Sequence, residues 1–390
     1  MVERCSMPPE SATSGSVEEE EPQDTDYSSY LPPLTDEVSL LILARTPFSD
    51  HPTLRCLSRR HRTVLESGDL YRIRQAHDLC HPIVFMRAGG GSCWFAFSPD
   101  SGPRRRRRFR LPHFPSNNRF YDGDKESICA GSHLLVSSLD PEGPTVWRYE
   151  LGANRWFRGP DMLSKRSLFA SASSGSCAFV AGGCAYVTSS LTARVPMNSA
   201  EQYDPETRTW RPLPPMHRKR THCSGFFMNS KFYVVGGEGV NRDDLKCGEF
   251  YDPEMNEWVL VEGMLGDRPV PTGSDGRPLP RSQPLVAVVN GCELYELVPC
   301  MNALKVYEEE EKRWRVVGFV PVKADQNGGW GVAFKSLGDR LLVVGRAGSS
   351  GGEGGRVCAC TYKPGVGWEL LEGAVGNLDD FVFNCAVMLT

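Results

Sequence analysis

The 390-residue sequence has no apolar run long enough to cross a bilayer and no N-terminal apolar segment of the signal type, so we expect no membrane partner. Its fourteen cysteines are scattered without a single Cys-x-x-Cys pair, and we expect reduced thiols in a nuclear or cytoplasmic protein. Charge of one sign is also missing, since the formal net charge is only -4. Residues 1 to 30 hold eight acids against Arg4 alone, so the rest of the chain stands near +3, which argues against a nucleic-acid partner held by a uniform field. The glycines at 89 to 91, 236 to 239 and 350 to 355 lack a following Lys-Ser and the dinucleotide spacing, so they read as turns rather than phosphate cradles. Metal-like spacing is scarce. His77-Asp78-Leu79-Cys80-His81 runs straight into Pro82 with no second pair, and Cys358 and Cys360 share one face of a strand, where a buried thiol is the common role. We therefore expect no catalytic residues, no metal and no cofactor.

What is present is one pattern stated twice between Arg166 and Glu262. Ala178-Phe179-Val180-Ala181-Gly182-Gly183 precedes Ala200-Glu201-Gln202-Tyr203-Asp204-Pro205 and Trp210; Phe232-Tyr233-Val234-Val235-Gly236-Gly237 precedes Gly248-Glu249-Phe250-Tyr251-Asp252-Pro253 and Trp258. Each copy reads as strand, glycine turn, strand, hairpin, strand. Tyr149 to Trp156, Tyr203 to Trp210, Tyr251 to Trp258 and Tyr307 to Trp314 are seven residues apart, and Tyr362 to Trp368 is six. The five tryptophans recur about every fifty residues. These residues resemble the kelch repeat, and the resemblance implies four-stranded propeller blades.

Residues 1–30 are rich in Ser, Glu and Pro and lack an apolar face, so we expect a disordered acidic tail. At Leu31-Pro32-Pro33-Leu34 the composition shifts. Thr35 is placed to cap a helix that opens with Asp36 and Glu37, and Pro47 ends it. Val38, Leu41 and Ile42 lie on one face, and Leu40, Leu43 and Ala44 on another. Pro52 suits the first turn of a second helix carrying Leu54 and Leu57; a third runs through Val64 and Leu65 to Gly68, and Asp69 caps a fourth. So small a segment has too little core to cover both faces, and the excess belongs against a partner or the next domain. Residues 31–80 resemble an F-box, through Leu31-Pro32, Pro33-Leu34, Asp36-Glu37-Val38, Ile42-Leu43-Ala44-Arg45, Pro47 and Leu54-Arg55-Cys56-Leu57-Ser58-Arg59. His61 departs from the family, which usually has Trp or Phe there. The resemblance implies that Pro33, Leu34, Val38, Leu41, Ile42, Leu54 and Leu57 dock on, or lie under contacts with, a Skp-type adaptor, and through it a cullin and a RING subunit. The bland alternative is a helical linker packed on the propeller.

From residue 82 to 390 we expect a mainly β chain forming a six-bladed kelch-type propeller. The first blade is degenerate, with Arg104 to Arg108 in its swollen hairpin; the run reads as a solvated tip or as an import or nucleic-acid signal. Phe381-Val382-Phe383-Asn384-Cys385-Ala386-Val387-Met388 is a strand without a blade, suited to close the first. The whole resembles plant F-box/kelch-repeat proteins of the Skp-interacting-partner group. That implies a non-catalytic substrate-recognition subunit of an SCF ubiquitin ligase, with an unidentified target protein on the propeller. Loops after the Gly pairs, with Arg242, Asp243, Asp244 and Arg346, are the candidate target-binding surface. Two other classes stay open: a kelch scaffold without a ligase, and a metal oxidase, for which His113, His133, His217 and His222 are the only imidazoles within the blades.

Overall fold

A computed structural model describes residues 29–88, 93–102, 108–115, 126–140, 143–187, 190–270, 272–273, 276–278, 282–324, 328–347, 357–375 and 381–390. The acidic run Glu18 to Glu21, most of the arginine run and the glycines near 350 lie outside the described residues.

The Tyr-to-Trp spacing is the geometry of one hairpin. Tyr203 lies directly opposite Trp210 across a turn of residues 205–208, with ring centroids 5.2 Å apart. The turn closes because Arg208, two residues before the Trp, takes a φ of 57°, and Asn154, Asn256 and Lys312 do the same in the neighbouring hairpins. The indole N–H then reaches back to the end of the preceding blade. Trp156 donates to the Pro112 carbonyl (3.0 Å), Trp210 to Pro160 (3.1 Å), Trp258 to Pro214 (2.7 Å) and Trp314 to Met264 (3.0 Å). Each of these four Trp rings thus packs into the cluster its blade shares with the blade before it, and its polar handle bonds that same preceding blade.

Six four-stranded antiparallel sheets result. From the axis outward, blade 2 is Ser127–Ala130, His133–Asp140, Gly143–Glu150 and Arg155–Arg158; blade 3 is Ala170–Ser174, Cys177–Ala181, Ala200–Asp204 and Thr209–Leu213. Blade 4 is Ser224–Met228, Lys231–Val235, Gly248–Asp252 and Glu257–Val261; blade 5 is Leu285–Val289, Glu293–Val298, Ala303–Glu308 and Arg313–Phe319; blade 6 is Ala333–Ser336, Leu341–Arg346, Val357–Lys363 and Gly367–Leu370. Blade 1 borrows. Its inner strand is Val382–Leu389, paired antiparallel with Pro82–Ala88 from Pro82 opposite Leu389 to Met86 opposite Cys385, followed by Phe95–Phe97 and Phe109–Arg110. The orphan strand therefore closes the ring.

The core is distributed as six clusters, each filling the space between two neighbouring blades. Phe85, Trp94, Leu134 and Tyr149 pack between blades 1 and 2, and Val84, Phe97, Leu342 and Val344 between blades 6 and 1. The Gly pairs permit the tight exits from the second strands: Gly183 and Gly237 have φ of 88° and 90°, and a Cβ on either would fall within 2.6 Å of a neighbouring carbonyl oxygen.

One expected loop is more ordered than its composition implies. Within Cys184 to Met197, Cys184–Val187 and Ser190–Pro196 form a small hairpin of their own. Its base is already fixed, because Cys184 bridges Ser167 and the Met197 N–H donates to Gly183 (2.9 Å), and the β-branched residues between favour strand.

Ahead of the ring stand four helices, α1 (Asp36–Ala44), α2 (His51–Leu57), α3 (Arg59–Glu66) and α4 (Asp69–Ala76). Two cap assignments shift. Thr35 occupies the N-cap of α1 with extended backbone, yet its hydroxyl makes no capping bond; Ser39 instead donates its own hydroxyl to the Thr35 carbonyl at 2.8 Å. Asp69 lies one residue inside α4, and Gly68 takes the cap with a φ of 79°, a left-handed turn that a side chain resists. Asp69 still serves the helix start by pairing with Arg72 at 2.5 Å.

Candidate docking and recognition surfaces

The helical segment has a small core on one side only. Leu43, Ala44, Val64, Leu65 and Leu70 are buried, and Tyr30, Leu31, Leu40, Leu54, Ile73 and Leu79 pack against them. Arg74 of α4 ties this core shut by donating to the Ala44 and Thr46 carbonyls, both at 2.7 Å, which satisfies the open end of α1. His61 fits the third helix in its own way. Its backbone N–H donates to the Ser58 hydroxyl that caps α3, its ring nitrogen lies 2.9 Å from that hydroxyl, and its ring packs edge-on against Tyr30.

The opposite face is bare. Leu34 is 38% exposed, Val38 44%, Ile42 41% and Leu57 59%, and Pro33 is exposed beside them. Leu41 and Leu54 are half-buried beneath this surface. Four large apolar side chains left open within so short a segment is the pattern of an interface, since isolated exposed apolar residues are ordinary and clustered ones are not.

This segment is held on the propeller by its other flank. The Phe48 ring packs 4.5 Å from Phe109 of blade 1, Arg55 donates to the Gly152 carbonyl of blade 2, and a Cβ on Gly152 would collide with the Leu65 carbonyl. Tyr71 of α4 lines the end of the central channel together with the first hairpin turns of four blades, at Gly131, Gly175, Gly291 and Gly338. The helices therefore sit at the rim where the inner strands end.

The loops after the second strands are at the other rim. Ser167 bridges Cys184, Thr221 bridges Glu238 and Val322 bridges Ala347, so each loop starts beside the linker that leads into an inner strand. Arg242 and Asp243 are exposed at the tip of their loop. Asp244 is not free in the same way, because it pairs with Arg268 at 3.0 Å. Arg346 is half-buried, with its carbonyl accepting from Lys323 at 2.8 Å, and most of the loop beyond it is outside the described residues. Arg108, the described member of the arginine run, donates to the Val375 carbonyl at 2.7 Å and lies 5.0 Å over the Phe95 ring. That arginine joins blade 1 to the segment after blade 6.

Sequence reasoning missed the polar joints beneath this rim. Arg166 pairs with Glu201 at 2.5 Å and donates to the Gly182 carbonyl; Arg220 pairs with Glu249 at 2.6 Å and donates to the Gly236 carbonyl. All four are buried. The glutamates also accept from backbone N–H groups, Glu201 from Leu163 and Ser164 and Glu249 from His217 and Arg218. A buried ion pair of this kind repays its desolvation only through such added bonds. A signal was available: each arginine stands sixteen residues before the first glycine of its pair.

The four blade imidazoles do not converge. His133 is buried between blades 2 and 3 with Tyr203 and Glu150, while His217 lies 3.1 Å from Glu249 at the start of blade 4. Among the described residues, no three His, Cys, Asp or Glu side chains form a group able to hold a metal. Cys358 and Cys360 do share one face, and the thiol–thiol contact, with burial adding to it, raises the Cys360 thiol well above its ordinary range.

Comparison with known proteins agrees with this architecture. The Kelch motif family matches residues 165–217 and 219–265, which are blades 3 and 4 with their linkers. A solved structure titled YjhT superposes with a TM-score of 0.50 over 74% of this chain and 94% of that one at 12% identity, a likeness of fold. An Arabidopsis thaliana F-box/kelch-repeat protein is 39% identical over 94% of this chain and 86% of its own length. The Arabidopsis F-box/kelch-repeat protein SKIP11 is 35% identical over 93% of this chain and 76% of its own. An N-terminal helical segment with one open apolar face, a six-bladed ring behind it and end-to-end identity at this level place the chain in the plant F-box/kelch-repeat family.

Proposed function

We propose that this chain is the substrate-recognition subunit of an SCF-type ubiquitin ligase in the nucleus or cytoplasm, with no catalytic group of its own. The helical face binds a Skp-type adaptor, and through it the cullin and RING subunits. The propeller holds a target protein for ubiquitination and proteasomal degradation. Its contribution to rate is proximity: a target held beside a ubiquitin-charged enzyme reacts as if at high local concentration.

The observation that carries the reading is the exposure of Leu34, Val38, Ile42 and Leu57 on the helical segment, outside its small core. Burying a side chain of that size contributes roughly 1.5–3 kcal/mol, so a few of them supply much of a stable docking contact. The two surfaces also lie at opposite rims, so an adaptor on the helices leaves the loops at Arg242, Asp243 and Arg346 open to a target.

The test is capture of a purified plant Skp-type adaptor by the full chain. Val38→Asp combined with Ile42→Asp should weaken binding by about 100-fold or more, because two charges would be buried without partners. Both side chains are exposed, so melting should stay within a few degrees of the wild type. A folded double variant that still captures the adaptor would sink the docking assignment. A wild-type chain that captures none would leave a kelch scaffold without a ligase.

A further inference from the structure

The inner strands of the six blades enclose a channel, and the charge in its wall is very sparse. Toward the helical rim it holds a cavity of about 370 Å³, and toward the loop rim a smaller one of about 70 Å³. Among the described residues lining the two cavities, Lys335 is the only side chain charged at neutral pH, and it lines both. It sits third in the inner strand of blade 6, about halfway along the channel. The nearby Cys129 thiol, raised by burial, stays protonated and supplies no counter-charge. No acidic side chain among the described residues pairs with Lys335, although the same chain pairs Lys231, Lys246 and Lys363 with aspartates.

Two uncommitted polar groups share these walls. Asn384 lines the smaller cavity at 1% exposure, with neither its Oδ1 nor its Nδ2 in a hydrogen bond. Ser127 lines the larger one, buried, with its hydroxyl also without a partner. Leaving such atoms unsatisfied in a protein interior costs free energy, so each of these groups takes a partner from water or from a group bound in the channel. The Ser171 hydroxyl adds a further donor along the same wall, whereas that of Ser173 is already donated to the Cys129 carbonyl.

We propose that Lys335 makes this channel an anion site, taking a carboxylate or phosphate oxygen group against its ammonium with Asn384 Nδ2 or the channel hydroxyls as added donors. A lone ammonium on an open surface is neutralised by water and salt. Between the inner strands, with uncharged side chains around it, its field is partly confined along the axis, so an anion entering the mouth meets a charge that no described carboxylate opposes. The two sources of such a group are a free small anion and an acidic side chain on a bound protein segment. This inference does not rest on the ligase reading, because the channel and the helical face are separate surfaces.

The test uses the full chain at low ionic strength and two probes, inorganic phosphate and the blocked peptide acetyl-Gly-Glu-Gly-amide, each titrated by calorimetry, with the Gln peptide as the neutral comparison. We expect saturable binding of at least one probe at one site per chain, weakening as sodium chloride is added. Lys335→Met should reduce it at least tenfold, and Lys335→Arg should keep it within about threefold. Phosphate binding as tight as the peptide's points to a free anion. A Glu peptide bound at least tenfold tighter than both phosphate and the Gln peptide points to an acidic segment. Should Lys335→Met fail to fold, Lys335→Gln keeps a polar tip without the charge and carries the same comparison. Absence of saturable binding by the wild type overturns the proposal, as does unchanged binding by a neutral variant that melts like the wild type. The Val38→Asp, Ile42→Asp chain should bind these probes normally whatever it does with an adaptor, which separates failure here from failure of the docking face.

Discussion

At the scale of single residues, two buried histidines set the acid limit of the fold. Burial, with Arg74 and Arg55 nearby, takes His51 down to about 3 from its ordinary 6.5, and burial with Arg148 and Arg208 does the same for His133. Both imidazoles are therefore neutral in the folded chain. As pH falls below 6.5 the unfolded state takes up these protons first, so stability present above that value is lost progressively down to about 3. At pH 5 each contributes a loss on the order of 2 kcal/mol. The melting temperature should fall between pH 6.5 and 5, and the fall should be shallower in His133→Gln; an identical slope in that variant would assign the effect elsewhere. Neither role was legible in the sequence, where His133 counted only as one of four blade imidazoles. Burial of a polar residue depends on which blade lands beside it, and Tyr203, which reaches His133 at 3.3 Å, is seventy residues away.

Elements were far more legible, for a physical reason. The Tyr-Trp hairpins and Gly pairs are specified by neighbours within a few residues, through turn φ values and cross-strand contacts, so the sequence carries them locally. The hairpin inside Cys184 to Met197 was hidden because its order comes from the ends being pinned by Ser167 and Gly183 rather than from a turn motif. The loop from Glu238 to Lys246 was legible as a candidate surface, but its residues were not separable until the fold placed Arg268 beside it. They now divide. Arg242→Ala and Asp243→Ala should alter unfolding free energy by less than about 0.5 kcal/mol, whereas Asp244→Ala should cost roughly 0.5–1 kcal/mol by releasing Arg268, the pair being partly exposed. Urea unfolding of the three single variants checks this ranking. If Asp244→Ala is as silent as the other two, the pair is ornamental and all three residues are equally available to a target.

At the scale of the whole molecule, the ring depends on one strand. Val382–Leu389 packs Cys385 into the cluster shared with blade 6 and Ala386 and Met388 into the cluster shared with blade 2, so removing it opens two inter-blade cores at once. A chain ending at Asp380 should lose most of its cooperative melting transition and expose apolar surface to a hydrophobic dye. A truncated chain that melts like the intact one would mean that the six sheets hold together without their clasp. The lysine in the channel belongs to this scale too: nothing near position 335 in the sequence says that it faces an axis, because the axis exists only after the ring has closed.

The borrowed strand also has a consequence in time. A polypeptide leaves the ribosome from its N-terminal side, at about 5–20 residues per second. The helices that end at Ala76 emerge roughly 300 residues before Val382, which at that pace is on the order of 15–60 s. Throughout that interval every residue of the helical face has been made while blade 1 lacks its inner strand and the ring has no closed axis. A partner that recognises only the helices can board the nascent chain before there is any channel or rim to receive a target, so assembly of such a complex has a built-in order: first the anchor, then the hand.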